Sequence, residues 1–276
     1  SYSKGSSIIR MLASYIGEDN FKLGLQHYLK KHSYKNTKTI DLWGSFEKVS
    51  KKPVRKIMHN WASKTGYPIV TIEKKLVNYK ITQGRFFSSR VSKKKSKEST
   101  TWQIPFIYES DKKIKKELIS KKIITLKEKN IGKANKGEQS LVRVKYDNDT
   151  LLKLKEKIEL GELSISDRLG IIRDLFALAE GGYIKTHEVL EFSLAYKNEK
   201  EYAVWAEIAM GIDKVANIIG GEKFLDKYNK YALSIFEPLA EKIGWQKKSG
   251  EDSNMTFLRS LILSHAGFYG SKKIIN

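Results

Sequence analysis

The segment nearest to a metal-binding pattern is His187-Glu188-Val189-Leu190-Glu191. A zinc-hydrolase helix needs two His four residues apart, so that both imidazoles face one ion while the Glu works on a bound water. Here the second position is Glu191 and no third ligand is recognisable nearby, so the segment reads as an ordinary amphipathic helix. His27 and His32 stand five apart at the end of a helical pattern, which is poor geometry for one metal. Gly132-Lys133-Ala134-Asn135-Lys136-Gly137 has phosphate-loop glycine spacing, but Glu138-Gln139 stand where Lys and Ser or Thr are needed. That removes the phosphate-binding amine and the Mg²⁺-binding hydroxyl, and the segment reads as a turn. No Cys is available as a nucleophile, and no Gly-x-Ser-x-Gly elbow occurs. Arg143, Arg168, Arg173 and Arg259 have the chemistry to meet a carboxylate, but pairing with Asp147, Asp167 or Asp174 is the expectation. Taken alone, the chain contains no complete catalytic constellation.

The elements that carry these residues change period twice. Residues 1–67 read as helical: Ile8, Ile9, Met11, Leu12 and Ile16 lie at helical spacing up to Gly17. A second helix is expected to be capped by Asp19 or Asn20, a third by Thr39, and Pro53 opens a fourth carrying Val54, Ile57, Met58 and Trp61. After Gly66-Tyr67-Pro68 the period falls to two. Segments 69–73, 78–83, 102–108, 115–119, 123–126 and 141–146 read as short strands separated by polar turns, which predicts a small β-sandwich over 68–147. The run from Arg90 to Lys97 is expected to be a solvated hairpin loop. From 148 to 276 the helical period returns, with Ser164-Ile165-Ser166-Asp167 opening a strong helix and further helices over 186–195, 201–218, 222–243 and 254–267. Successive helices with short connections predict an all-α, superhelical layer.

The chain has 276 residues, 40% of them hydrophobic, enough for two or three cores. No stretch approaches ~18 consecutive apolar residues, so no membrane-spanning helix and no membrane partner are expected. The absence of Cys fits a reducing cytoplasm. Net charge is +21, and it is unevenly placed. Residues 1–67 hold 13 Lys and Arg against 4 Asp and Glu, residues 68–150 hold 21 against 9, and residues 151–276 hold 18 against 18. Such a basic half allows a non-enzymatic module that binds nucleic acid or an acidic protein surface. Charge alone supplies no specificity, so a Lys-rich compositional bias is preferred and nucleic acid is not the expected partner.

Several segments together resemble the aminopeptidase N-like zinc aminopeptidases, a gluzincin family that includes archaeal tricorn-interacting factors and puromycin-sensitive aminopeptidases. Tyr2-Ser3-Lys4-Gly5-Ser6-Ser7-Ile8-Ile9-Arg10-Met11-Leu12 resembles the family's Tyr-x-Lys-Gly segment. Trp61…Gly66-Tyr67-Pro68-Ile69-Val70 resembles its junction into a β-sandwich, and Val142-Arg143-Val144-Lys145-Tyr146-Asp147 the exit. Asp167-Arg168…Asp174…Ala177-Leu178-Ala179 and Gly244-Trp245…Glu251-Asp252…Leu258-Arg259 are similar to its helical domain. The family's His-Glu-x-x-His zinc motif and Gly-x-Met-Glu-Asn segment are not found here.

The resemblance implies the carboxyl-terminal part of a cytoplasmic zinc aminopeptidase. Residues 1–67 would be the helical end of a thermolysin-like catalytic domain, 68–147 the sandwich and 148–276 the helical domain enclosing the peptide cavity. It implies one catalytic residue, Tyr2, whose hydroxyl stabilises the tetrahedral intermediate. Zinc belongs to the parent and none is expected on this chain. The implied partners are the peptide substrate and the missing amino-terminal half, and the chain alone is expected to be inactive.

Overall fold

The structure is a computed structural model, and it describes residues 2–96 and 99–275. The backbone divides into two compact units, Ser1–Leu151 and Leu152–Asn276.

Four helices open the first unit: α1 (Tyr2–Ile16), α2 (Glu18–His32), α3 (Thr39–Ser50) and α4 (Val54–Ala62). Helix α1 buries Ile8, Met11, Leu12 and Ile16 of the stripe read from spacing, while Ile9 is exposed. It ends at Gly17, whose φ of 93° turns the chain directly into α2. That leaves Gly17 itself at the head of α2, in place of Asp19 or Asn20. Thr39 is the first helical residue of α3 and not its cap; the Asp41 carboxylate accepts the Lys38 amide at 2.9 Å. Helices α2 and α3 meet closely at Gly24, where a Cβ would lie 2.4 Å from the Phe46 ring. Phe46 stacks on Phe21 at 4.8 Å. Helix α4 buries Val54, Ile57, Met58 and Trp61, as their spacing implied.

Two sheets follow. Strands β1 (Pro68–Lys74) and β2 (Tyr79–Arg85) form a hairpin, followed by a short helix, α5 (Arg90–Lys95), and by β3 (Ile104–Ser110), β4 (Lys113–Ile119), β5 (Ile123–Leu126), β6 (Ile131–Ala134) and β7 (Arg143–Lys145). One sheet has the order β5-β2-β1-β7, the other β4-β3-β6. All pairings are antiparallel except β1 with β7. Val70, Ile72, Ile81, Ile104 and Phe106 are fully buried, so the alternation seen in the sequence marks a real interior.

Beyond the helix caps, two further expectations fail in this unit. Of residues 132–137, expected as a turn, 135–137 do turn, but 132–134 belong to β6, which shows no period and owes its strand form to pairing with β3. Residues 90–95 form α5 and not a loop, because the Ser89 side chain accepts the Ser92 amide and caps a run of helix-tolerant lysines. Lys97 lies outside the described residues.

A buried carboxamide joins the two sheets. The Gln83 Nε2 donates to the carbonyls of Trp102 (2.9 Å) and Lys121 (3.1 Å), and its Oε1 accepts the Trp102 amide (2.8 Å). One residue on, Trp61 Nε1 of α4 donates to the Gln103 carbonyl at 2.8 Å, and Asn60 Oδ1 accepts the Gln103 amide at 2.9 Å.

The second unit is helical: the greater part of α6 (Asn148–Glu159), then α7 (Ile165–Glu180), α8 (Thr186–Ser193), α9 (Tyr202–Ile218), α10 (Leu225–Ile243), α11 (Ser253–Phe268) and the short α12 (Lys272–Ile275). Ser164 caps α7 as expected, accepting the Asp167 amide. Helices α9 and α11 run parallel. At their starts Asn254 Oδ1 accepts the Tyr202 amide, and towards their ends the Asp213 carboxylate meets His265 (3.1 Å) and accepts from the Tyr269 hydroxyl (2.7 Å). Helices α7 and α9 touch at Gly211, where a Cβ would fall 2.4 Å from the Phe176 ring.

Gln83→Leu removes the bridging amide and leaves the Trp102 amide and two carbonyls without it. Each buried group left unpaired costs about 1–3 kcal/mol. Denaturant unfolding of the variant is therefore expected to show a loss of several kcal/mol from the first unit; a loss confined to a few tenths would show that the amide is dispensable.

Candidate functional site

Tyr2 is the first described residue and already helical. Its side chain is 95% exposed and makes no hydrogen bond among the described residues. The helix that carries it is held at three levels. The apolar stripe seats it; Lys4 Nζ donates to the Lys64 carbonyl at 2.9 Å; and Arg10 donates to the carbonyls of Gly137 and Glu138. The receiving loop is itself unusual, since Asn135, Gly137 and Glu138 all have φ between 50° and 68°. Lys133 Nζ, buried, pairs with Glu138 Oε1 at 2.7 Å. Asn135 spans the loop, its Nδ2 donating to the Ser140 carbonyl (3.0 Å) and its Oδ1 accepting the Ser140 amide (2.8 Å). The Tyr146 hydroxyl donates to the Ala134 carbonyl (3.1 Å) and accepts the Ala134 amide (3.0 Å). So the Tyr2 phenol stands exposed on a helix whose body is tied to the sheets.

The remaining sequence candidates are employed structurally. Glu188, in the near-metal segment on α8, accepts the Lys185 amide at 2.8 Å and caps its own helix. His27 Nε2 lies 3.2 Å from Lys48 Nζ. Among the described residues no group of three or more His, Cys, Asp or Glu is placed to hold a metal ion. The zinc implied by the resemblance finds no donor set among these residues.

Three of the four arginines have partners other than those expected. Arg168 forms a two-pronged bond to Glu199, Nε to Oε2 at 2.6 Å and Nη2 to Oε1 at 2.9 Å, while Nη1 donates to the Leu163 carbonyl at 2.6 Å. Arg259 donates to the carbonyls of Ile243 (2.7 Å) and Gly244 (2.6 Å) and pairs with Glu251. Arg173 lies 3.9 Å from Glu207, and the Arg143 guanidinium sits over the Tyr67 and Phe86 rings. The partners of Arg168, Arg173 and Arg259 are thus glutamates 31, 34 and 8 positions away, where Asp147, Asp167 or Asp174 was expected. No local pattern in the sequence signals the first two, because the tertiary fold alone brings them together.

Arg168 and Glu199 line a cleft of about 370 Å³ with Tyr196, Asn198, Lys200 and the Leu160-Gly161 turn. Burial would push the Glu199 carboxyl up, but the Arg168 bonds and the amides of Glu201 and Lys200 together outweigh it and hold it below the ordinary value. The bonds to Glu199 in turn raise the Arg168 guanidinium. Burial first, and the Glu199 charge second, drive the Tyr196 phenol far up; its hydroxyl donates to the Arg168 carbonyl at 2.8 Å. A carboxylate that receives four donors has no capacity left for a ligand, so the pair organises the cleft floor and the start of α9.

Breaking a buried pair costs about 3–5 kcal/mol. Glu199→Gln should therefore unfold at lower denaturant near neutral pH. A carboxyl held low in the folded state stabilises above its unfolded pKa and loses that contribution as pH falls through the folded value. The advantage of the natural chain over Glu199→Gln should hence shrink below about pH 4. An advantage that persists undiminished to about pH 2 would overturn the assignment.

Residues 132–276 match the family model described as ERAP1-like C-terminal domain, and residues 1–61 match that described as Peptidase family M1 domain. The chain is 33% identical over 291 residues to Aminopeptidase M1-A of Oryza sativa subsp. japonica, covering 100% of this chain and 32% of the relative. Aminopeptidase A of Gloydius brevicauda is 33% identical over 96% of the chain and 29% of its own length. Aminopeptidase 2 of Candida albicans is 32% identical over 96% of the chain and 29% of its own length. The chain spans about a third of the length of these relatives.

Proposed function

Because the chain belongs to the ERAP1-like C-terminal domain family and its first helices match a Peptidase family M1 domain, we propose that it is the carboxyl-terminal portion of a zinc-dependent aminopeptidase that removes N-terminal residues from peptides. The observation that carries this reading is the order of the two matches. The end of a peptidase domain runs into an ERAP1-like domain within one chain, and relatives named as aminopeptidases align over nearly all of it. The helical domain then serves as a wall of the parent's peptide cavity, and the sandwich as a spacer. Zinc and the remaining substrate contacts belong to the amino-terminal portion of the parent. Within the family, the tricorn-interacting-factor and puromycin-sensitive type is the form proposed. A cytoplasmic setting is supported by the absence of Cys.

Tyr2 is the residue of this chain proposed to take part in the reaction. When water adds to a peptide carbonyl, negative charge develops on its oxygen. A phenol is a neutral donor near neutral pH and can donate a hydrogen bond to that oxygen without needing a proton transfer. The exposed hydroxyl supports the role, since it spends no donor on the described residues. The seating of α1 by Lys4 and Arg10 supports it further, because a donor must be held where the charge will appear.

The chain alone, supplied with zinc and aminoacyl-anilide substrates, should show no turnover above a Tyr2→Phe control; turnover above that control would refute the division of labour. In the parent enzyme, Tyr2→Phe should cut kcat by roughly a hundredfold to a thousandfold, about 2.7–4 kcal/mol of barrier. An unchanged kcat removes Tyr2 from the mechanism.

A further inference from the structure

Topology brings two hairpin turns to one end of the sandwich. Residues 75–78 join β1 to β2, closed by the Lys75 amide donating to the Asn78 carbonyl at 2.8 Å. Tyr79 at the start of β2 pairs with Leu126 at the end of β5. Four residues later Asn130 accepts the Asp111 amide at 3.3 Å, and its side-chain amide donates to the Asp111 carboxylate at 3.1 Å. Asp111-Lys112 is the turn between β3 and β4.

At the first tip Leu76 is 102% exposed and Val77 82%. Lys74 and Lys75 precede them, and Lys112, Lys113, Lys127 and Lys129 occupy the neighbouring turns. At this end Glu73 and Glu128 pair with lysines, while Asp111 and Asp147 are held by hydrogen bonds alone. Glu73 lies 3.3 Å from Lys75, Glu128 pairs with Lys115 at 2.7 Å, and Asp147 accepts the amides of Lys74 and Thr150. Lys74, Lys112, Lys113, Lys127 and Lys129 make no ion pair among the described residues. A pair of aliphatic side chains therefore projects from a collar in which these five lysines outnumber the carboxylates of Asp111 and Asp147.

Aliphatic groups gain free energy only on leaving water for an apolar phase, and ammonium groups gain it beside anions. An anionic bilayer offers both in the matching order, hydrocarbon beneath charged headgroups. A nucleic acid offers the anions alone, and its bases call for stacking aromatics that this tip does not have. We propose that this end of the sandwich docks reversibly on an anionic lipid surface, with Leu76 and Val77 entering the headgroup–acyl boundary and the lysines facing the headgroups. No helix among the described residues is long and apolar enough to cross a membrane, and docking of this kind needs none. It stands apart from the aminopeptidase reading.

The test uses the chain with vesicles of phosphatidylcholine alone or mixed with phosphatidylserine. Because the whole first half is basic, salt-sensitive association with anionic vesicles is not by itself decisive. The tip must matter. Leu76→Ser with Val77→Ser, which leaves every charge in place, should weaken binding to the phosphatidylserine vesicles by about tenfold or more. Since the chain contains no Cys, Val77→Cys offers a single thiol for an environment-sensitive dye. Its emission should shift to shorter wavelength on these vesicles and be quenched by brominated acyl chains, with neither effect on phosphatidylcholine alone. Equal binding by the double variant, a dye that stays in water on bound protein, or no association at low salt would each overturn the proposal. So would single-stranded RNA binding that outcompetes the vesicles and is indifferent to the tip.

Discussion

A peptide backbone that runs through a hydrophobic interior must satisfy every polar group without water, and the first unit depends on how residues 101–103 meet that requirement. Residues 101–103 directly precede β3. Gln83 takes up both backbone groups of Trp102, Trp61 takes the Gln103 carbonyl and Asn60 its amide. Three side chains from two elements thereby substitute for a missing ladder strand. Trp61 and Trp102, both fully buried, fill the space around them. The sheets and the four opening helices form one compact unit as a consequence, and α1 is seated on that unit by further bonds from Lys4 and Arg10.

The second unit meets the same requirement with charge. Glu199 is almost wholly buried, yet its oxygens receive Arg168 twice and two amides at the head of α9. Arg259 does the equivalent for the end of α10, donating to the Ile243 and Gly244 carbonyls while pairing with Glu251. Groups that look chemically capable in the sequence are thus consumed by the fold. Tyr2 differs because its hydroxyl makes no hydrogen bond among the described residues. In a chain that holds only part of a peptidase family's length, a donor left unspent is a more informative residue than a buried ion pair.

Helix stripes and strand alternation were legible because burial imposes a period of 3.6 or 2 on the apolar residues. Ile8, Met11, Leu12 and Ile16 read correctly for that reason, as did the Ser164 cap, whose chemistry is local. Strand β6 was not legible, since Ile131-Gly132-Lys133-Ala134 has no alternation and takes its form from β3. Helix α5 was masked by its lysines, which suit a solvated loop equally well. Among the site residues, Tyr2 drew meaning only from the family resemblance, because one phenol near a chain end carries no pattern of its own. The partners of Arg168, Arg173 and Arg259 were misread because pairing was sought among aspartates.

By itself, then, the amino-acid sequence determined the kind of element at most positions, the family and the uneven charge, since each is written in local order or composition. Tertiary structure alone decided which charges neutralise one another and which polar backbone is capped by which side chain. It also decided that Leu76 and Val77 share an end of the sandwich with lysines some 35 to 53 positions away. Those outcomes depend on distances through space, and chain separation places no constraint on them once strands have paired.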